Sequence, residues 1–376
     1  MARGADVEIA QFRSEFRAWL TRHAPTEPAP LHGADRARYW GAWHKTLYEG
    51  GWMGLSWPVN VGGRGLSPVF EAVFNDEIGR AGAPPAPHVG FLGRALLHFG
   101  SNDQKERYLP TLLSGDEVWC QGFSEPGAGS DLANIRTVAR ATDDGGYIVN
   151  GQKIWTSDAA WANWCLLLAR TDPASERHHG ISALIIAMDT PGLDVRPITQ
   201  INGDTEFNEV FFTDVRVPGH HVIGELGQGW TIAMTTVGYE RGPADVGFSS
   251  RYTRLLHDLL ADAQHRSVTR REQVALARAH VHVEVLAAHV WQSLQAREID
   301  RAPGAEGSID KLLATRTEQL LHHVAMDAAG AAPLRGDAPP VLADYLYSRA
   351  ASLAGGTSEI QRTIIAERLL GLPRSH

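Results

Sequence analysis

Three strings in this chain gather glycines with hydroxyl or amide side chains, residue types that allow close backbone approach and hydrogen bonding. The first is Phe123-Ser124-Glu125-Pro126-Gly127-Ala128-Gly129-Ser130-Asp131. Its glycines permit close backbone approach and positive φ angles, and its hydroxyls can hydrogen-bond a polar ring edge or a phosphate. The second is Asn150-Gly151-Gln152-Lys153-Ile154-Trp155-Thr156-Ser157, and the third is Gly355-Gly356-Thr357-Ser358-Glu359-Ile360-Gln361-Arg362. On residue types alone the first string reads equally well as a tight loop entering a β domain.

Other reactive groups carry less. The 17 histidines include the pairs 178/179, 220/221 and 322/323. Adjacent histidines do not share a helix face, and no Cys/His cluster has zinc-site spacing, so no metal is expected. Gly224-Glu225-Leu226-Gly227-Gln228-Gly229 has the glycines of a dinucleotide loop but lacks the preceding strand and the acidic residue of that unit. It reads as a connection between a β domain and a helical one.

These strings must be positioned by a chain of 376 residues, long enough for two or three domains. Hydrophobic residues at 43% and charged residues at 21% fit a globular protein. A net charge of −8 argues against nucleic acid as the main partner. No apolar stretch is long enough to insert in a membrane, and the first ten residues lack the apolar segment of a signal peptide. With only Cys120 and Cys165, a reducing, cytoplasmic setting is expected.

Periodicity divides the chain into an N-terminal helical domain (1–117), a middle small β-barrel domain (118–227) and a C-terminal four-helix bundle (228–376), an α+β multidomain architecture. Phe12, Phe16, Trp19 and Leu20 recur at helical spacing, as do Trp40, Trp43, His44 and Leu47, and again Phe70, Val73, Phe74 and Ile78. In the middle region, Tyr147 to Val149, the dipeptide Asn150-Gly151 and Lys153 to Trp155 predict a hairpin. Residues 164–169, 182–186, 208–212 and 215–217 read as further strands. Helices are expected near 229–263, 269–300, 308–330 and 357–370, with 301–308 and 331–340 as connectors.

The three strings, in this order and across a helical–β–helical chain, resemble the acyl-CoA dehydrogenase family. The resemblance spans nearly the whole chain and implies FAD as cofactor, with Phe123, Ser124, Gly129, Ser130, Trp155, Thr156 and Ser157 around the isoalloxazine ring. Ser124 and Ser157 would hydrogen-bond its polar edge and Trp155 would pack against it. Thr357 and Glu359 would contact the pyrophosphate and ribose region. Thioester contacts are implied at Ser130, Arg241, Gly355 and Gly356. The implied reaction is α,β-desaturation of an acyl-CoA thioester: a carboxylate in a dry pocket takes the α-proton, and the β-hydrogen leaves as hydride to flavin N5.

The chain departs from the family where many members carry that base, immediately before Gly-Thr-Ser. Here the position is Gly355, which keeps only its main-chain N–H to polarise the thioester carbonyl. A second placement in the family falls on Glu240, within Tyr239-Glu240-Arg241-Gly242-Pro243. Its helical neighbours would be Ala233, Thr236, Ala244 and Gly247, a face of small residues with room for a ligand. The bland reading makes Glu240 a solvated helix residue paired with an arginine. A further departure concerns the segments through which relatives reach the FAD of a neighbouring subunit. No Phe-Gly occurs around 264–272, and Gly330 is the only glycine between 326 and 334.

The leading expectation is therefore an FAD-dependent acyl-CoA dehydrogenase with Glu240 as base. It would take a branched, bulky or steroid-derived acyl group and pass electrons to an electron-transfer flavoprotein, as a homodimer, homotetramer or hetero-oligomer. Alternatives within the fold are a flavin oxidase, monooxygenase or reductase, and a dehydrogenase of acyl-carrier-protein thioesters. A different class is a non-catalytic or half-site subunit of a hetero-oligomer.

Overall fold

The computed structural model describes residues 2–87, 89–239, 243–296, 304–336 and 339–373. Helices α1 (Ala2–His23), α2 (Gly33–Glu49), α3 (Pro68–Ala81), α4 (Val89–Phe99) and α5 (Asn102–Ser114) come first. Strands β1 (Trp119–Gly122), β2 (Val138–Ala141), β3 (Tyr147–Ser157), β4 (Trp164–Arg170), β5 (Ile181–Ala187), β6 (Leu193–Pro197), β7 (Phe207–Val217) and β8 (Val222–Ile223) follow. The chain then returns to helices: α6 (Gly229–Tyr239), α7 (Pro243–Gln264), α8 (Arg270–Ala296), α9 (Gly307–Ala329), α10 (Pro339–Tyr347) and α11 (Ser358–Ile364). Helical, β and helical regions thus succeed one another as expected. By internal contact the chain forms two compact units, one of residues 1–28, 66–86 and 241–376, the other of residues 29–65 and 87–240.

In the first unit, the aromatic stripe of α1 meets that of α3. Phe12 packs edge-on to Phe70 at 5.1 Å, and Phe16 stacks on Phe74 at 4.7 Å. Ser67 and Pro68 start α3, and Gly82 ends it in the left-handed conformation. Helix α3 buries two consecutive acids, Asp76 and Glu77, at 1% and 2% exposure. Arg13 bridges both at 2.5 Å, Arg17 pairs with Glu77, and Ser250 of α7 donates to Asp76 at 2.5 Å. Buried carboxylates persist only with such partners. A Cβ on Gly79 would lie 2.3 Å from the Gly247 carbonyl, so these two glycines let α3 and α7 approach closely. The apolar faces of α7, α8 and α9 form one core around Leu256, Val283, Leu286, Leu321 and Val324. Each such side chain contributes about 1.5–3 kcal/mol by leaving water.

The second unit is built on one eight-stranded sheet, ordered β6-β7-β3-β2-β4-β5-β8, with β1 also paired to β4. Pairing is antiparallel except for β1 and β2, which run parallel to β4. Strands β4 and β5 are buried along nearly their whole length, matching their continuous apolar sequences. Helix α5 opens with a capping box between Ser101 and Gln104. Gln104 also donates to the carbonyls of His220 and Val222, both at 2.8 Å. Tyr108 sits edge-on to Trp119 and Trp164, with its hydroxyl 3.1 Å from His221 Nε2. His221 is thereby a structural residue. The Gly224–Gly229 segment joins β8 to α6, in keeping with its reading as a connection.

Two expectations need correction. Asn150-Gly151 is not a hairpin turn, because β3 runs straight through it. The side chain of Asn150 exchanges hydrogen bonds with Asp214 of β7, at 2.9 and 3.0 Å, and the register shifts there. The dipeptide builds a β-bulge, and the turn into β3 lies earlier, where Thr142 and Gly146 close on each other. The connector 331–340 contains a 3₁₀ turn at Pro333–Arg335 and the start of α10. Over the expected helix 229–263, residues 229–239 and 243–264 are helical, and residues 240–242 lie outside the described residues.

Candidate active site

Phe123 to Ser130 leaves β1 as a loop closed on itself. Glu125 and Ala128 exchange backbone hydrogen bonds at 3.1 and 3.0 Å. A Cβ on Gly127 or Gly129 would meet nothing within 4 Å, so the loop presents open backbone there. Phe123 and Ala128 are buried, Ser124 is half-buried, and Gly129 and Ser130 are exposed.

The loop is held from behind by charge. Glu125 accepts from Arg136 N at 2.6 Å, Thr137 N at 2.9 Å and Lys153 Nζ at 2.8 Å. Lys153 has 0% exposure and also donates to the Phe123 carbonyl at 3.0 Å. Burial pushes the Lys153 ammonium down to about 8, against the pull of Glu125. Burial would raise the Glu125 carboxyl, but Lys153 and the two N–H donors together hold it below the usual range. This pair was missed in the sequence reading. Its one signal there is a lysine inside a predicted strand, directly before Ile154-Trp155.

Strand β3 brings Trp155 beside this loop. Ile154 N donates to Ser124 O at 3.0 Å, tying strand to loop. The pairing of β3 with β7 slips between Lys153 and Thr156, and Trp155 takes φ +60. A left-handed tryptophan is costly and uncommon, and the bulge turns its ring outward, 56% exposed and edge-on to Phe207 at 6.0 Å. Among the described residues, the hydroxyls of Ser124, Ser130 and Ser157 make no side-chain hydrogen bond. An outward aromatic face beside unpaired hydroxyls and open glycine backbone suits a flat ring with a polar edge, so these residues fit a flavin. Thr156 differs: it points inward, and its hydroxyl is buried without a partner. Its side chain does not share the face of Trp155 and Ser157, as alternation along a strand requires.

Asp158 follows at φ +62. Burial first, then the charges of Glu206 and Asp204, push its carboxyl up to about 7 despite the opposing Arg36. Arg36 of α2 pairs with Asp204 at 3.1 Å and Glu206 at 3.7 Å.

Glu240 and Arg241 lie outside the described residues. Just before them, Tyr239 places its hydroxyl 3.0 Å from His98 Nε2, and Arg94 lies over its ring at 5.1 Å. Arg94 also donates to Ser56 Oγ at 2.5 Å. On α6, Ala233 and Thr236 are fully buried, and Thr236 donates to the Ile232 carbonyl. That half of the small-residue face is packed rather than open, which corrects the expectation of free space there.

In the other unit, Gly355 and Gly356 both have positive φ, +61 and +86. Gln361 Nε2 donates to their carbonyls at 3.1 and 3.3 Å. Thr357 caps α11, its hydroxyl accepting from Ile360 N at 3.2 Å, and Glu359 pairs with Arg362 at 3.2 Å. Lys311 and Thr315 of α9 both donate to the Ala351 carbonyl, fixing the chain ahead of Gly355. The α7–α8 connector is short, and its Arg266 is closed onto Asp262 and Glu272 at 2.6 and 2.5 Å.

Among the described residues no group of three or more His, Cys, Asp or Glu gathers as a metal site, and no helix is long and apolar enough to cross a membrane.

Comparison with known proteins accords with these features. The chain matches the acyl-CoA dehydrogenase N-terminal domain over residues 7–116, the middle domain over 120–215 and the C-terminal domain over 227–370. Acyl-CoA dehydrogenase IpdE1 of Mycolicibacterium smegmatis is 40% identical, covering 98% of this chain and 99% of its own. Among solved structures, the Tcur3481-Tcur3483 steroid ACAD superposes with a TM-score of 0.86 at 30% identity, over 98% of both chains. The ChsE4-ChsE5 complex from Mycobacterium tuberculosis gives 0.80 at 30% identity, again over 98% of both. In sequence and in fold alike, this chain belongs to the acyl-CoA dehydrogenase family.

Proposed function

We propose that this chain performs FAD-dependent α,β-dehydrogenation of a bulky, steroid-derived acyl-CoA thioester, as one subunit of a hetero-oligomer. The observation that carries the flavin is Trp155, held left-handed and outward beside the unpaired hydroxyls of Ser124 and Ser157. Bound there, FAD would supply the acceptor for the β-hydrogen as hydride. Phe123 and Trp155 would exclude water, and Ser124 and Ser157 would hold the ring's polar edge. Glu240 removes the α-proton, a task for which Gly355 has no side chain. The preference for a steroid-like acyl group is supported by the steroid ACAD among the structural neighbours. The onward electron acceptor is an electron-transfer flavoprotein.

The test is anaerobic mixing with a steroid-side-chain CoA thioester and with straight-chain acyl-CoAs. Flavin bleaching by the steroid thioester, lost in Glu240→Gln, is expected. Bleaching by none of them, or normal bleaching in Glu240→Gln, would overturn the assignment. Rapid recolouring in air without an electron-transfer flavoprotein would point to an oxidase.

The half-site reading has its own support. Arg266 is occupied by the acids of its own two helices, and the surrounding connector lacks the Phe-Gly through which relatives reach a neighbour's flavin. Both structural neighbours named above are two-component assemblies by title. A second, different chain completing the flavin site accounts for this. The chain purified alone is expected to hold well under one FAD per protomer, and co-expression with the companion subunit to restore it.

A further inference from the structure

Lys153 places a fully buried cation behind the Phe123–Ser130 loop. It lies on β3, fully buried, opposite Val210 of β7. The titratable groups facing it are Glu125 from the loop and the Cys165 thiol from β4. Its ammonium donates to Glu125 at 2.8 Å and to the Phe123 carbonyl at 3.0 Å. The second contact has a consequence for the next residue. In a trans peptide, C=O and N–H point in opposite directions. A Phe123 carbonyl aimed inward at Lys153 therefore aims the Ser124 N–H outward. Among the described residues that N–H donates to nothing, while the Ser124 carbonyl is engaged by Ile154 N. A carbonyl that accepts from a cation polarises its peptide, and the N–H at the other end becomes a stronger donor.

We propose that Lys153 is a positioning residue of the flavin site, acting through the Phe123–Ser124 peptide to present Ser124 N–H as a strengthened donor to the flavin edge that gains electron density on reduction. This rests on the flavin reading given above. The alternative is an ion pair that only holds the loop in shape. The two differ in sign. Removing the ammonium makes the flavin harder to reduce. Weakening its counter-charge makes the flavin easier to reduce. A pair that only holds shape gives no such opposition.

The experiment measures FAD affinity and midpoint potential of the enzyme purified with its companion subunit. Lys153→Met is expected to shift the potential negative and weaken FAD binding about tenfold, the scale of one charge-assisted hydrogen bond. Glu125→Gln is expected to shift it positive. If Lys153→Met fails to fold with Glu125 left unpaired, the double variant Lys153→Met/Glu125→Gln removes both charges, and a negative shift is expected from it. Because burial lowers the ammonium to about 8, the wild-type potential is also expected to fall more steeply with pH above that value, and Lys153→Met to lack the break. Coincident potentials in wild type and variants would overturn the proposal and leave the flavin reading standing. A wild type that binds no FAD in any assembly would overturn both.

Discussion

The Tyr239 hydroxyl lies 3.0 Å from His98 Nε2, with the Arg94 guanidinium over the same ring. These contacts join α6 to α4. Tyr239 is the residue before Glu240 in sequence, so they anchor the chain immediately ahead of the proposed base.

Removing this clamp should cost less than removing the base. Tyr239→Phe and His98→Ala are each expected to lower kcat about three- to tenfold, with FAD content unchanged, since one ordinary hydrogen bond is lost. Glu240→Gln is expected to lower it by about 10²–10⁴, the range for a general base. Steady-state kinetics with a bleaching thioester, alongside the flavin absorbance of each variant, check both. Equal losses in Tyr239→Phe and Glu240→Gln would place Tyr239 in the chemistry itself.

Returning a carboxylate to position 355 is expected to fail for a backbone reason. Gly355 has φ +61 and Gly356 φ +86, and Gln361 holds both carbonyls. A side chain in the left-handed region costs about 1–2 kcal/mol. Gly355→Glu is therefore expected to lose about that much stability in a denaturant titration. On the Glu240→Gln background it should not restore flavin bleaching. A tenfold recovery would show that the backbone here accepts a side chain.

The proposed site residues could be named from sequence because they fall within short strings of characteristic residue types. The loop glycines, the Trp155–Ser157 triplet and the Gly355-Gly356 pair are local features, and the structure gives each a local geometry. What escaped depends on partners far along the chain. Asn150-Gly151 has the composition of a turn, but its side-chain partner is Asp214, 64 residues on. The pairing of Lys153 with Glu125 needs the fold of β3 behind the loop. The φ of Trp155 follows from a slip against β7 that no residue type announces. Helix α10 was hidden because Pro339 and Pro340 look like a connector, though proline is well placed in a first helical turn.

The bulge at Asn150-Gly151 carries its own expectation. A Cβ on Gly151 would lie 2.4 Å from Thr137 Oγ1 and 2.7 Å from Thr137 Cα. Gly151→Ala must push β2 and β3 apart, and is expected to cost about 1–3 kcal/mol. Asn150→Ala loses both hydrogen bonds to Asp214 at a partly exposed site and is expected to cost about 1 kcal/mol. Urea titration of each variant measures this. If Asn150-Gly151 were a free turn, both losses would be near zero.

Asp158 gives a pH dependence whose sign is fixed. Burial, Glu206 and Asp204 raise its carboxyl from 3.8 to about 7, against Arg36. Below about pH 4 the group is protonated folded or unfolded and contributes nothing. Between about 4 and 7 the unfolded chain releases a proton that the folded chain keeps, so stability falls as pH rises. Above about 7 the folded protein carries the full penalty of a buried, crowded carboxylate. Asp158→Asn removes that charge, and asparagine tolerates the φ of +62. It is expected to stabilise the protein by about 1–3 kcal/mol at pH 8 and to leave it unchanged at pH 4. Thermal or denaturant unfolding at the two pH values decides. Destabilisation at pH 8 would instead make Asp158 a needed counter-charge for Arg36, and the crowding of acids beside Ser157 would then be a stabilising network rather than a strained one.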